Sequence, residues 1–463
     1  MEEKEKEKAI EDLDYEVRAR TGDDIQVPPR RWRELIRKFG PTFVIAGAIV
    51  GSGELIVTTI LGAKVGFVML WMIILSVLVK AIVQEQFGRF IISTDDSLMD
   101  MLDRIPGKIL GASWAVWWGV LLMISILMAM AGIVGSIGLS VAGFFGTGSA
   151  NLLGAIVAII GILLILRGLY SDLEKIIITL VGVFSILTIF LSFFVLQATP
   201  YGYSASDILS GLTFSFPAGA WVVALSAFAV TGITANEIIT YAYWVKGKGY
   251  AAWSGPRESE GFFDRARRWI RVMDTDLVLG ATMIGITTIA FYILGASVLH
   301  RLGQVPSGFE TVEILSRMYT ETLGAWTRYL FMIAAFCILY STYLVNTAGI
   351  ARIIPDGLRK IGIIAMKTPK QRIFWRRVFL IAGPAVMFLL YFVIARPAWL
   401  IVVGGVIVGL SMPVACVIGI WLNRIMKRQD PELAQSPTLT SILWVCAAII
   451  IAIQATGFVI GLL

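Results

Sequence analysis

Apolar runs long enough to cross a bilayer recur along this chain, and they exclude most folds before any motif is considered. A hydrocarbon core of about 30 Å needs roughly 20 consecutive apolar residues in helical form, because lipid offers no partner to a free peptide N–H or C=O. Eleven such runs, spans 1 to 11, have approximate limits at residues 42–63, 67–90, 112–143, 150–168, 175–198, 219–245, 276–299, 325–350, 376–395, 398–423 and 438–461. The alternating pattern of a barrel strand is absent. Charged residues make up only 15% of the chain, against about 25% in soluble globular proteins. The expected class is an all-α membrane protein. Residues 1–40 form a polar cytoplasmic segment and residues 41–461 a single transmembrane domain.

Charge sets the expected orientation. The loops after spans 6 and 8 carry Arg265, Arg267, Arg268 and Arg271, then Arg359, Lys360, Lys367, Lys370, Arg372, Arg376 and Arg377. The opposite loops, such as FFGTGSANL and TPYGYSASDILSGLTFSFPAG, have neither Lys nor Arg. Positive residues stay inside, so the amino terminus is expected in the cytoplasm and the carboxyl terminus outside, in a prokaryotic inner membrane. The net charge of +7 therefore reads as orientation and gives no reason to invoke nucleic acid. The acidic, polar start MEEKEKEKAIEDLDYEVRAR is not a cleavable signal peptide. Cys337, Cys416 and Cys446 fall inside apolar runs without metal or disulfide spacing, and His300 is the only histidine. No P-loop or nucleophile elbow occurs in a strand-to-helix context. Neither an enzyme nor a cofactor is expected, membrane lipid is the surrounding partner, and a monomer is the simplest assembly.

Two spans are interrupted at their middle. Span 1 reads AIVGSGELIVTTI, with Gly51, Ser52, Gly53 and Glu54 deep in the run. Glycines weaken a helix, and a mid-bilayer carboxylate costs roughly 2.5 to 3.5 kcal/mol. Span 6 holds a counterpart. GSGELIVTT aligns with TANEIITYA, placing Glu54 over Glu237 and Gly66 over Gly249. Five spans separate the two glutamates, an odd number, so the copies cross in opposite directions. That is the signature of an inverted repeat whose broken helices face each other near the midplane. The repeats would be residues 41–198 and 219–423, with 438–461 as an eleventh helix. Each glutamate begins a half-helix, where a carboxylate meets the positive end of the dipole. Two readings stand: contact with a substrate or ion, or capping of the half-helix.

With the breaks located, the chain resembles the NRAMP family of divalent-metal transporters. The resemblance lies in GPTFVIAGAIVGSGELIVTTILGAKVGFVMLW, VKAIVQEQFGRFIISTDDSLMDMLDRIPG, AMAGIVGSIGLSV and NEIITYAYWV, in that order and spacing. It implies a LeuT-type fold: two inverted five-helix repeats plus an eleventh transmembrane helix, with helices 1 and 6 broken. The family's metal-transporting members carry Asp-Pro-Gly-Asn in the first break and Met-Pro-His in the sixth span. Here those places hold Gly51-Ser52-Gly53-Glu54 and Thr234-Ala235-Asn236, followed by Glu237. Loss of the thioether and imidazole removes the usual basis for choosing a soft transition metal and leaves oxygen donors suited to a hard cation. The uncharged MAMAGIVGSIGLS of span 3 lacks the acidic residues through which the family moves protons.

The resulting expectation is an alternating-access secondary transporter of a divalent or other hard cation. Its substrate site would comprise Gly51, Ser52, Gly53, Glu54, Thr231, Thr234, Ala235, Asn236 and Glu237, with Glu54 and Glu237 as metal ligands. AIVGSGELI also resembles the first span of amino-acid and polyamine transporters of the related APC group, so a small organic solute on the same fold is the alternative. A sensor or scaffold that keeps the fold without transport is the third reading. In span 8, Tyr340, Tyr343 and Asn346 belong to a polar stripe that either lines a pathway or joins helices. Lys80 and Glu85 in span 2 are five residues apart and do not share a face, so each is expected to face the bundle interior and pair with another span, or Lys80 to snorkel toward the interface, with structural pairing favoured over a role in transport. Ser411 and Pro413 suggest a kink in span 10.

Overall fold

The computed structural model describes residues 20–29, 31, 33–34, 38, 53–166, 170–217, 219–307 and 310–462. Gly51, Ser52, the first half of span 1 and most of the polar amino-terminal segment lie outside the described residues. Among those described, nine helices are long and apolar enough to cross a membrane, and Ala150–Leu166 adds a shorter apolar one. One of the nine, Gly53–Thr94, carries both the second half of span 1 and span 2. Each of the eleven runs is thus helical over most of its described length.

Glycine at positive φ lets the chain turn between them. Gly66 (φ 63°) ends the helix Thr59–Val65, and Gly249 (φ 97°) ends Ala235–Lys248. Side chains rarely adopt such angles, so glycine stands at both places. The two glycines that align in the repeat therefore do the same work, each 12 residues beyond its glutamate.

Three helices outrun their apolar cores. Span 7 begins at Phe262, span 8 continues to Ile361 and span 9 starts at Pro369. Residues 247–275, between the apolar cores of spans 6 and 7, supply a five-residue helix, Tyr250–Ser254, and the first turns of span 7. Hydropathy stops at the first arginines, whereas a helix can carry them onward on its wet face. Thr311–Leu323, between spans 7 and 8, is a further helix with Val312, Leu315 and Met318 buried. Its polar face hid it from a reading built on continuous apolar runs. Span 10 is interrupted after Gly409 and resumes at Met412, with Pro413 in the first turn of the second segment. Proline is tolerated there because that N–H has no helical partner.

Span 3 (Trp114–Phe145) is the central strut and packs against span 8, span 4 and the first half of span 10. Lipid is as apolar as leucine, so close packing of small residues must hold such helices together. A methyl group on Gly138 would stand 2.0 Å from the Ala150 carbonyl oxygen, and one on Gly62 would stand 2.6 Å from that of Tyr292. Tyrosine hydroxyls reinforce the bundle: Tyr343 donates to the Ala158 carbonyl at 3.0 Å and Tyr340 to that of Val157 at 3.3 Å.

Candidate functional site

Span 6 breaks between Val230 and Ala235. Thr231 ends the helix Trp221–Val230 in an extended conformation, Gly232 takes φ 64°, and Thr234 starts the next helix as its N-cap. The cap is reciprocal: Thr234 Oγ1 accepts from the Glu237 N–H at 3.2 Å, and Glu237 Oε2 accepts from the Thr234 N–H at 2.6 Å. This capping box satisfies two orphan donors at the start of the half-helix. It occupies one carboxylate oxygen of Glu237.

Glu54 faces the same break from span 1, inside the wide helical turns Gly53–Thr58. Its Oε1 accepts from the Gly232 N–H at 2.9 Å and from Thr288 Oγ1 of span 7 at 3.4 Å. Gly53 brings the described half of span 1 against the span 6 break, since a methyl group there would lie 2.0 Å from the Val230 carbonyl oxygen. Gly53→Ala is therefore expected to force the two segments apart, and its effect can be measured as a lowered melting temperature of the purified protein. Overpacking of this kind typically costs about 1 to 3 kcal/mol.

A third charged residue completes the arrangement. Lys80 on span 2 is fully buried and donates to the Thr231 carbonyl at 2.7 Å and the Ala229 carbonyl at 3.4 Å. These are free carbonyls at the end of a half-helix, where a cation is favoured. Its ammonium also lies within electrostatic reach of both Glu237 and Glu54. Ser76, one turn earlier, donates to the Phe228 carbonyl at 2.9 Å. The break is thus held from both sides, its N–H by a carboxylate and its carbonyls by an ammonium. Glu85 is paired structurally with Arg89 at 2.5 Å and accepts from Gln435.

A cavity of about 40 Å³ lies beside the breaks. Its polar wall is formed by Thr234, Glu237, Thr342 and Asn346, and its remaining wall by Gly53, Ile126, Ala129, Met130, Val230 and Val408. Asn346 is oriented by Asn236, whose Nδ2 donates to Asn346 Oδ1 at 2.7 Å, while Asn346 Nδ2 donates to the Thr342 carbonyl at 2.9 Å.

The structure sorts the residues expected from the sequence. Gly53, Thr234 and Glu237 line the cavity, and Asn236 stands behind Asn346. Glu54, Thr231 and Ala235 are buried without lining it. Thr231 turns its hydroxyl back to the Ala227 carbonyl at 2.6 Å. Of the span 8 stripe, Asn346 reaches the cavity, whereas Tyr340 and Tyr343 bond to span 4. Thr342 and Met130 were not singled out by sequence reasoning. Thr342 stood in the stripe without a distinguishing spacing, and Met130 is one apolar residue among many in span 3. Among the described residues, no three of His, Cys, Asp and Glu come together. Among the described residues Glu237 is the one carboxylate in the cavity wall, and Met130 adds a thioether to its oxygen donors.

A second, larger cavity of about 560 Å³ opens where span 2 ends and span 9 begins. Among the described residues, eight basic and five acidic side chains line it. Asp95 accepts from the Arg20 N–H at 3.1 Å and pairs with Lys246 at 3.1 Å. Asp100 is bonded by Lys360 at 2.8 Å. Burial opposes charge on Asp100, but hydrogen bonds from Lys360 and Ser97 outweigh it and hold the carboxyl below its usual range.

A family model described as natural resistance-associated macrophage protein-like matches residues 42–459. The divalent metal cation transporter MntH of Brucella suis biovar 1 (strain 1330) is 22% identical over 430 residues, which cover 92% of this chain and 88% of that protein. A crystal structure of a mutant Eremococcus coleocola manganese transporter superposes with a TM-score of 0.64 at 15% identity, over 94% of this chain and 88% of the other. Mhp1, a nucleobase-cation-symport-1 family transporter in a closed conformation, superposes with a TM-score of 0.54 at 12% identity, over 93% and 94%. At these identities the two structures speak for the fold: a LeuT-type bundle of two inverted five-helix repeats and an eleventh helix.

Proposed function

This chain belongs to the Nramp family of membrane transporters, and on that premise we propose that its cargo is a divalent cation held between broken spans 1 and 6 and released by alternating access. The observation that carries the reading is the size and chemistry of the small cavity. At about 40 Å³ it has room for an ion with part of its water shell, one water needing about 10 to 15 Å³ by the same measure. Glu237 Oε1 supplies charge, and Asn346, Thr342 and Thr234 supply neutral oxygen, a set suited to hard cations. Glu54 acts one step removed, fixing the facing break through Gly232. Asn236 positions Asn346.

Orientation follows the basic loops: amino terminus and larger cavity in the cytoplasm, carboxyl terminus outside, in a prokaryotic inner membrane. The chain works as a monomer surrounded by lipid.

The test is a melting-temperature titration of the purified protein in detergent with Mg²⁺, Mn²⁺ and Ca²⁺, beside a panel of amino acids and amines. A saturable rise with at least one divalent ion is expected. A response confined to an organic solute would overturn the proposal, and silence toward every compound would point to a sensor. Met130→Leu separates hard from soft coordination. It should leave any Mg²⁺ or Ca²⁺ response within about twofold and weaken Mn²⁺ selectively, because only the softer ion gains from sulfur.

A further inference from the structure

The larger cavity has a charge distribution that a cation route does not explain. Four guanidinium groups from spans 8 and 9, Arg352, Arg359, Arg372 and Arg376, are in its lining, and Asp356 is the only acidic residue that this stretch of chain adds to it. Asp356 is already committed: Arg359 Nε donates to its Oδ1 at 3.0 Å, and the Tyr243 hydroxyl donates to its Oδ2 at 2.6 Å. Arg372 stands 3.9 Å from the same Oδ1. Orientation in the membrane accounts for basic residues in these loops, but it does not require them to converge on one concavity.

We propose that this cavity is a binding site for a phosphate-bearing anion. The planar fork of arginine matches the oxygens of a phosphate in paired hydrogen bonds, and several guanidinia around one concave surface suit a group carrying more than one charge. A volume of about 560 Å³ accommodates a small phosphorylated molecule and falls within the usual range of ligand pockets. The same chemistry is offered by a soluble phosphate compound and by the headgroup of an anionic lipid.

Placement gives the site a consequence. Tyr243 lies six residues beyond Glu237 on one helix, and Arg352 six residues beyond Asn346 on another, so each wall residue is about 9 Å along its helix from the small cavity. Thr240 and Gly349 meet between the two cavities, with a methyl group on Gly349 falling 3.6 Å from Thr240 Cγ2. A bound anion bridges the helices that carry the cation site and neutralises the field that a departing cation must cross.

The experiment uses full-length protein stripped of lipid in neutral detergent, with a chelator present so that divalent ions play no part. Melting temperature is followed against pyrophosphate and inorganic phosphate, with chloride at matched ionic strength as reference. A second arm adds phosphatidylglycerol or phosphatidylcholine micelles. A saturable rise of several degrees is expected from pyrophosphate, or from phosphatidylglycerol alone if the natural ligand is a lipid headgroup. Arg372→Gln should weaken the apparent affinity at least about threefold, and Arg372→Gln with Arg376→Gln should abolish the response. If the double variant does not fold, Arg372→Lys serves instead: it keeps the charge but loses the fork, and its affinity should fall between those of native and Arg372→Gln protein. Equal behaviour in phosphate and chloride, together with equal behaviour in the two lipids, would overturn the proposal. So would an undiminished response in Arg372→Gln.

Discussion

Glu237→Gln is expected to abolish divalent-cation stabilisation and uptake into liposomes while leaving the apo protein nearly as stable as before. The carboxylate has two tasks that this substitution separates. One oxygen closes the capping box with Thr234, and glutamine can close the same box, since glutamate and glutamine are both accepted at that position. The charge facing the cavity is lost outright. Removing one partner of a desolvated charged contact costs about 2 kcal/mol or more, which is roughly thirtyfold or more in affinity. Thr234→Ala removes the cap for about 1 kcal/mol and one neutral oxygen from the cavity wall, while leaving the charge in place. Glu54→Gln should be much milder toward the cation than Glu237→Gln, because a glutamine oxygen still accepts from the Gly232 N–H. Equal loss of cation response in the two single variants would show that both carboxylates ligate the cargo.

The contrast between the two glutamates marks how far the sequence could be read. The span 6 break was legible because threonine and a carboxylate are conspicuous within an apolar run, and because its segment shares a spacing with that of span 1 down to Gly66 and Gly249. Their similarity invited identical roles. The structure gives Glu237 to the cavity and Glu54 to the facing backbone, a division set by the tertiary position of each half-helix, which local spacing does not encode. Direction was likewise illegible along span 8. Tyr340, Tyr343 and Asn346 form one stripe by sequence, but the tyrosines reach span 4 and the asparagine reaches span 6. In a soluble protein the polar face of a helix marks solvent. Inside a bundle a polar residue can face either a cavity or a neighbouring helix, and periodicity does not distinguish them. Met130 was hidden for the complementary reason, since an apolar residue in an apolar helix carries no mark.

Lys80→Met should destabilise the membrane-buried core strongly, by about 1 to 3 kcal/mol for each carbonyl left without its donor. Methionine nearly matches the length of the stem, so the loss is of the ammonium. Without it the Thr231 and Ala229 carbonyls at the span 6 break lose their donor, and Glu237 and Glu54 lose a cation within electrostatic reach. The source of this effect can be assigned by a double-mutant cycle read through melting or denaturant curves. If Lys80 chiefly balances Glu237, the double change Lys80→Met with Glu237→Gln will be less destabilising than the sum of the single changes by about 0.5 to 3 kcal/mol. If it chiefly holds carbonyls, the two changes will add. The second outcome has a further expected consequence. Lys80→Ala would leave a pocket lined by the Thr231 and Ala229 carbonyls, with Ser76 beside them, and such oxygen clusters bind monovalent cations at broken helices. Sodium or methylammonium should then restore part of the lost stability in Lys80→Ala and none in the native chain, whose own ammonium already fills that position.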